Sequence, residues 1–469
     1  MKVAGNFFTQ EEVEKLHEMT LEVLEKDGVI MEDEEACELF RKHGAKVDGY
    51  VVHIGRDLVE KALSTAPSEF VIYGRNGKSV TFGEGHKVLA PASGPLFVSR
   101  AGDHHRNTAQ DYLNFQKMDH TSRVIDMLNP NLIEPSDIDR KIVRDYQMAV
   151  CLRYTDKPLM GLTTTLQDCE HSIDMIQRFY GSDKEKTVAF GLINPMSPLK
   201  YNKTMLQACR YFAERNQATM FPCCSMPGVT SPVTLSGTVV CNNAENLAGI
   251  VYAQLVRPGA PVVYSNTSGG TDMRFVTPAI GSPETALISF ASASLAKYYN
   301  IPCRTGGSLA DSKCVDWQCG VESTFTMMAA LMSSASFVLH SCGVMDSFNV
   351  LCYEKYLLDE QNIEMIRKLV NGMSVHTDSE ELENLSDVGP GGQFIGEEHT
   401  MDYMKDELYT PALFNKMSFT GWEDAGKKDS VQLANEAIDK RIASFEYPEI
   451  TKEQETVLRD YIGNLYDEI

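Results

Sequence analysis

From about residue 88 onward, short apolar runs alternate with stretches of helical periodicity. The runs lie near Val88 to Ala92, Ile125 to Leu128, Leu159 to Thr163, Thr187 to Leu192, Thr219 to Cys224, Pro261 to Ser265, Pro302 to Gly306 and Phe337 to Ser341. Each is β-branched or apolar over a few residues, the pattern of strands buried on both faces. Helix start signals stand between them: Thr108-Ala-Gln-Asp111, and Ser282-Pro283-Glu284 with serine at the N-cap and proline at the first helical position. Strand and helix in alternation predict a parallel sheet, and eight such units in a row predict an α/β protein built as a (β/α)8 TIM barrel. A doubly wound open sheet would normally carry a glycine-rich phosphate turn after its first strand, and no G-x-G-x-x-G stands there.

The flanks read differently. Thr9-Gln-Glu-Glu12 forms a capping box that opens a helix with Val13, Leu16, Val23 and Leu24 on one face and Gly28 as its stop. Helices around Cys37 to His43 and Leu58 to Ala66, with short strands near Phe70 to Tyr73 and Ser79 to Phe82, complete an N-terminal α+β cap over 1–87. The barrel is expected over 88–346. Beyond it, a helical stretch Tyr353 to Val370, the loop Val388-Gly-Pro-Gly-Gly392 and a last helix capped at Thr451 predict a C-terminal helical extension, 347–469, packed on the barrel.

Composition narrows the function classes. Hydrophobic residues make up 43% and charged residues 23%, ordinary for a globular chain, and no apolar run reaches the roughly 18 residues that cross a bilayer. The first residues hold one lysine and no apolar leader core, so a cytoplasmic protein with no membrane partner is expected. The 12 cysteines are scattered and include no C-x-x-C pair, which reads as reduced thiols. A net charge of −22 repels nucleic acid and favours a cationic ligand.

Polar residues just past the strand ends are the site candidates in a barrel: Ser93, Asn129, Asn131, Thr163 to Thr165, Asn194, Ser225, Asn266 to Ser268, Ser308 and His340. Most are neutral hydrogen-bonding groups, and helix capping is the plain alternative for about half of them. No Ser-His-Asp triad or acid pair emerges. The densest cluster follows the seventh run and holds Asp311, Asp316, Gln318 and Glu322, the last two sharing a helix face; carboxylates at a helix start also serve as caps and dipole partners. His340-Ser-Cys342-Gly343 has the side-chain types of half a zinc site, with Cys352 as a third ligand, an element also found in zinc-dependent thiol methyltransferases. Trp317, Phe348, Tyr353, Tyr356 and Tyr264 fall at or beyond strand ends, where ring faces can hold a quaternary ammonium or simply pack.

Several motifs together resemble one family. Pro227-Gly-Val-Thr-Ser-Pro232-Val-Thr-Leu-Ser-Gly237, Asn243-Ala-Glu245-Asn-Leu-Ala-Gly249 and Pro258-Gly-Ala-Pro261 are similar to the trimethylamine methyltransferase family of corrinoid-dependent enzymes. So are Gly281-Ser-Pro-Glu284, Gly306-Gly307 with Asp311-Ser-Lys313, Asp316-x-Gln318-x-Gly320-x-Glu322, and Val388-Gly-Pro-Gly-Gly392 with His399-Thr400. The resemblance implies a barrel enzyme that moves a methyl group from a methylated amine to the Co(I) of a separate corrinoid protein. The enzyme itself would hold no cofactor and no metal, the cobalamin being carried by the partner. Founding members carry pyrrolysine, whereas this chain has only standard residues. It resembles the non-pyrrolysine branch, whose characterised members demethylate glycine betaine, proline betaine or carnitine.

On that resemblance, Phe348, Tyr353 and Trp317 are expected to cage the trimethylammonium group, with Tyr264 nearby. Asp311, Asp316, Gln318 and Glu322 are the expected catalytic group, the three carboxylates providing negative field or ordering the loop, and His340, Arg304 and Asn194 are expected to meet the substrate carboxylate. The chain is compatible with a homo-oligomer. Two alternatives are a zinc-dependent corrinoid:thiol methyltransferase using His340 and Cys342, and a non-catalytic betaine-binding protein.

Overall fold

Every residue of the strand Ala218–Cys223 and of the strand Val262–Asn266 is buried, as central strands covered on both faces must be. The structure, a computed structural model, describes residues 7–182, 185–375 and 380–469; residues 1–6, the start of the segment read for a leader, lie outside these. Six parallel strands lie side by side in the order Val88–Leu89, Phe337–Val338, Cys303–Thr305, Val262–Asn266, Ala218–Cys223, Phe190–Leu192.

Two further extended runs close this sheet into a ring. The Asp126 amide donates to the Leu89 carbonyl at 2.8 Å, Leu128 to Pro158 at 3.0 Å, Met160 back to Leu128 at 2.9 Å, and Gly161 to Phe190 at 2.8 Å. These two runs do not form regular strands for local reasons. Asp126 takes the Leu89 amide with its own carboxylate at 3.0 Å, and Pro158 has no amide to give. Eight staves in chain order, each followed by a helix, therefore make the barrel.

Alternation along the staves sorts the side chains. Val88, Met127, Met160, Phe190, Met220, Val263 and Phe337 fill the interior, while Leu89, Leu128, Phe221, Val262, Tyr264 and Val338 pack outward beneath the helices. The hairpin of Phe70–Tyr73 and Ser79–Phe82 closes the lower end: Phe70, Ile72 and Phe82 join the interior cluster, and the Phe82 ring lies 5.2 Å from that of Phe337 and 5.6 Å from that of Phe190. With that end filled, a ligand has only the carboxyl ends of the staves to enter by.

The eighth helix of the ring, Tyr353–Asn371, lies beyond residue 346, where the sequence reading ends the barrel. It docks on Ala109–Thr121 through stacked rings of Tyr353 and Phe115 at 4.2 Å and a 2.6 Å hydrogen bond from the Tyr356 hydroxyl to Asp119. Its own ion pair, Lys355 with Asp359 at 2.6 Å, is wholly buried and reaches the mouth of the barrel: Lys355 donates to the Ser308 carbonyl, and Asp359 accepts the Gly343 amide at 2.8 Å. A small sheet of Val29–Met31, Lys46–Asp48, Val51–His53 and Lys200–Tyr201 seats the N-terminal segment, and the helix Ser430–Ala443 runs along Tyr353–Asn371. No helix among the described residues is long and apolar enough to cross a membrane.

Phe82→Ala should cost about 3–5 kcal/mol, the range for truncating a buried aromatic ring. Denaturant unfolding would register this as a lowered midpoint, and an unchanged midpoint would mean that the hairpin does not close the barrel.

Candidate active site at the barrel mouth

A cavity of about 460 Å³ opens at the carboxyl ends of the staves. Its polar wall comes from the first four staves: Ser93, Asn129, Asn131, Thr163, Thr164 and Asn194. Leu162, Leu192, Met205, Pro222 and Leu339 give an apolar surface, and Cys224, Thr267, His340 and Phe348 complete the other side. Among the described residues no carboxylate and no lysine or arginine lines it.

The loops that carry these groups are held from behind. Glu245, buried on the helix Leu235–Val256, accepts the Leu199 amide at 2.9 Å and the Ser197 hydroxyl at 3.0 Å, fixing the loop that presents Asn194. Three residues earlier on that helix, Asn242 accepts the Ser225 hydroxyl at 2.6 Å and donates to Ser268 at 2.9 Å, joining the loops of Cys224 and Thr267. Backbone strain gathers here too. His340 has φ +63°, and Asp346, Ser347 and Phe348 are three successive left-handed residues at +48°, +51° and +75°. Bulky residues adopt that region only where their surroundings compel it. The compulsion is visible: the Asp346 amide donates to Ser312, and the Ser347 hydroxyl donates to Asp311 at 2.6 Å.

Beneath the cavity floor lies Arg304, wholly buried inside the barrel. One terminal nitrogen donates to the Asn266 carbonyl at 2.7 Å and to the Thr267 hydroxyl, while Nε and the other terminal nitrogen have no partner. Burial lowers its pKa to about 10, so the guanidinium stays charged at neutral pH, and among the described residues no carboxylate pairs with it. The same burial, with the Arg304 charge second, holds His340 well below the usual histidine range. His340 is therefore neutral. Its Nδ1 accepts the Ser93 amide at 3.2 Å, which leaves the proton on Nε2 as a donor.

The arrangement is a neutral, half-polar chamber over an unpaired cation. It can receive an anionic group at its floor and, among the described residues, offers no carboxylate within its walls. The family model for trimethylamine methyltransferase (MTTB) matches residues 3–469. The chain belongs to that family. It is 36% identical to the glycine betaine methyltransferase of Desulfitobacterium hafniense (strain Y51), over 99% of this chain and 98% of that one. It is 33% identical to the L-carnitine:corrinoid methyltransferase of Eubacterium limosum, over 98% and 97%. The monomethylamine methyltransferase of Methanosarcina barkeri, 11% identical, shares the fold at a TM-score of 0.52 across 93% of both chains.

In this trimethylamine methyltransferase family member, three of the residues given a substrate-binding role from sequence line the cavity: His340, Asn194 and Phe348, whose ring lies 4.8 Å from that of His340. Arg304 lies just below. The expected aromatic cage does not assemble. Trp317 opens the helix Trp317–Met332 and is 87% exposed. Tyr353 is buried between barrel helices with its hydroxyl on Asp111, and Tyr264 alternates outward beneath Tyr299.

The acidic cluster does not enter the cavity either. Asp311 accepts the amides of Ile280 and Gly281 at 3.0 and 2.9 Å, Asp316 caps its helix by accepting the Cys319 amide, and Glu322 accepts the Asp311 amide at 2.7 Å and a bond from Gln318. All four order the loop. Cys342 is buried in the core near Asp359 and Glu360, and Cys352 meets Glu354; among the described residues no three histidine, cysteine or acidic groups converge as a metal site.

Sequence reasoning passed over Cys224, Met205, Leu162 and Leu192 as lining residues. The strand-end position of Cys224 was the one available signal for it. Because an unpaired buried charge opposes folding, Arg304→Met should stabilise the ligand-free chain by about 1 kcal/mol or more. Denaturant unfolding tests this, and a loss of several kcal/mol would make Arg304 a structural tie instead.

Proposed function

We propose that this chain transfers a methyl group from a carboxylated quaternary amine of the glycine betaine, proline betaine or carnitine type to the Co(I) of a separate corrinoid protein. The observation that carries the reading is the Arg304 guanidinium, unpaired by any carboxylate among the described residues, beneath a chamber in whose walls none of those residues supplies a carboxylate. A simple cation such as trimethylammonium would meet a positive field there, whereas a zwitterion can place its carboxylate at the floor, toward Arg304, the His340 Nε2 proton and the Asn194 amide. The quaternary nitrogen then lies higher, against Phe348, Met205 and Leu192, with a methyl directed at the mouth.

The chemistry asks little more of the protein. Cobalt supplies the electron pair of the new Co–C bond, the C–N bond breaks, nitrogen keeps that bond's pair, and Co(I) becomes methyl-Co(III). The leaving group is a neutral tertiary amine and requires no proton, in keeping with walls in which no carboxylic acid stands among the described residues. The missing countercharge also contributes: the ammonium sits in an apolar setting with nothing to neutralise it, and its charge vanishes from the chamber as the methyl departs, so the walls favour the transition state over the bound cation. Holding the methyl in line with an incoming nucleophile can supply about 7–11 kcal/mol in favourable cases.

The test is methyl transfer to a reduced corrinoid protein, followed as the cob(I)alamin to methylcob(III)alamin absorbance change, with glycine betaine, proline betaine, carnitine and trimethylamine offered in turn. Transfer from a betaine and none from trimethylamine is expected; transfer from trimethylamine alone would overturn the reading. His340→Ala should raise the Michaelis constant for the betaine on the order of tenfold, the loss of one hydrogen bond to a charged group, and an unchanged constant would remove His340 from the site. The pH profile follows from the two pKa directions. His340 is already neutral and Arg304 remains protonated, so betaine affinity should be flat from pH 6 to 8 and fall only as pH rises through about 10. A drop between pH 6 and 7 would instead mean that a charged histidine binds the carboxylate.

A further inference from the structure

Between the cavity residues Thr267 and Phe348 the chain throws out a small antiparallel hairpin, Gly270–Asp272 paired with Thr277–Ala279. At its tip Met273, Phe275 and Val276 are 55%, 72% and 55% exposed. The neighbouring turn adds exposed Val229 and Val233, and the Met273 sulfur lies over Gly228, where a Cβ would sit 3.3 Å from it, so the two elements form one apolar lip. The Arg274 guanidinium stands 5.5 Å over the Phe275 ring and is paired with Asp272. Two-stranded hairpins are seldom stable alone, and this one is fastened at its base: the Gly270 amide donates to Thr285 at 3.1 Å, Asp311 accepts the amides of Ile280 and Gly281, and the Pro278 carbonyl accepts the Ser347 hydroxyl at 3.2 Å. A rigid base under an uncovered apolar tip that carries an aromatic ring and an arginine is the make-up of an interface hot spot.

We infer that this lip is the seat of the corrinoid protein. The inference rests on the methyl transfer proposed above, because that reaction names the occupant: a cobalt carried by another chain must reach a methyl inside the cavity, so whatever carries it must cover the mouth. The hairpin stands at that mouth, one residue from Phe348 through Ser347 and three from Thr267. A second exposed apolar stretch, around Leu408, does not share this position. It follows the helix Tyr353–Asn371, whose last turns carry Arg367 to the Val124 carbonyl, at the entry of a stave and opposite the mouth, and Lys368 to the Asp406 carbonyl.

Asp311 gives the seat a second role. One carboxylate holds both the end of the hairpin and Ser347, so a partner resting on the lip is mechanically joined to the strained turn that sets Phe348 in the cavity wall.

The experiment compares the wild-type chain, Phe275→Ser and Met273→Ser, with Leu408→Ser as the control, using a reduced corrinoid protein that the wild type methylates and, separately, free cob(I)alamin at high concentration. Phe275→Ser should raise the KM for the corrinoid protein on the order of tenfold, with the betaine-induced thermal shift and the rate with free cob(I)alamin retained and Leu408→Ser unaltered in KM. An unchanged KM for both lip variants would overturn the inference, and so would an equal loss with free cob(I)alamin, which would place Phe275 in the chemistry. An unchanged KM together with a smaller oligomer in sedimentation would make a second copy of this chain the occupant and equally overturn it. A wild-type chain that methylates neither acceptor would overturn the methyl-transfer reading and this inference with it, whereas normal transfer with an unchanged KM strikes this inference alone.

Discussion

A guanidinium inside a barrel, with no acidic partner among the described residues, constrains everything above it. The Asn266 carbonyl and the Thr267 hydroxyl accept from Arg304, and both belong to the loop that Asn242 and Ser268 brace from behind. Burial first, and the field of Arg304 second, keep the imidazole above it neutral, so that the mouth offers hydrogen bonds without a second charge. A carboxylate in the wall would relieve the desolvated cation and end the attraction for an anionic ligand at once. Leaving the charge unrelieved lowers the stability of the empty protein, a common trade at binding sites.

The lower half of the barrel shows the opposite economy. Met127, Met160, Phe190, Met220 and Phe337 form one buried apolar cluster with Phe82 from the cap. Rigidity is thus supplied from below and from the buried ion pair Lys355 with Asp359 behind the mouth, while strain is stored at His340 and at Asp346 to Phe348. The division suits a site whose work is orientation.

The staves were legible because burial on both faces writes continuous apolar runs, and all eight sequence runs fall where the ring has its staves. Two of them, around Leu128 and Leu159, are too short to be regular strands, since Asp126 and Pro158 interrupt the ladder in ways a hydrophobic pattern does not register. The site was legible by position more than by residue type. His340 and Asn194 follow their staves directly and reach the cavity. Tyr264 shows the limit: it stands one place from inward-facing Val263, and only the register, which no single sequence states, turns its ring outward. Trp317 and Tyr353 failed for a related reason, because the first residue of a helix can face solvent or a neighbouring helix as readily as the barrel axis. The carboxylates Asp311, Asp316 and Glu322 formed the cluster expected, but backbone amides had the prior claim on them.

Closure of the ring carries a consequence for biosynthesis. The stave at Val88 pairs with the stave at Phe337, and the helix that covers this seam ends at Asn371. As the chain leaves the ribosome, the first stave therefore waits with one edge unpaired while most of the barrel is still being made. Contacts this distant in sequence form slowly, and open strand edges invite pairing with other chains. The interval between the emergence of Val88 and that of Phe337 is thus when this chain is most open to mispairing, and a premature stop within the helix Tyr353–Asn371 would leave a nearly complete barrel with its seam uncovered.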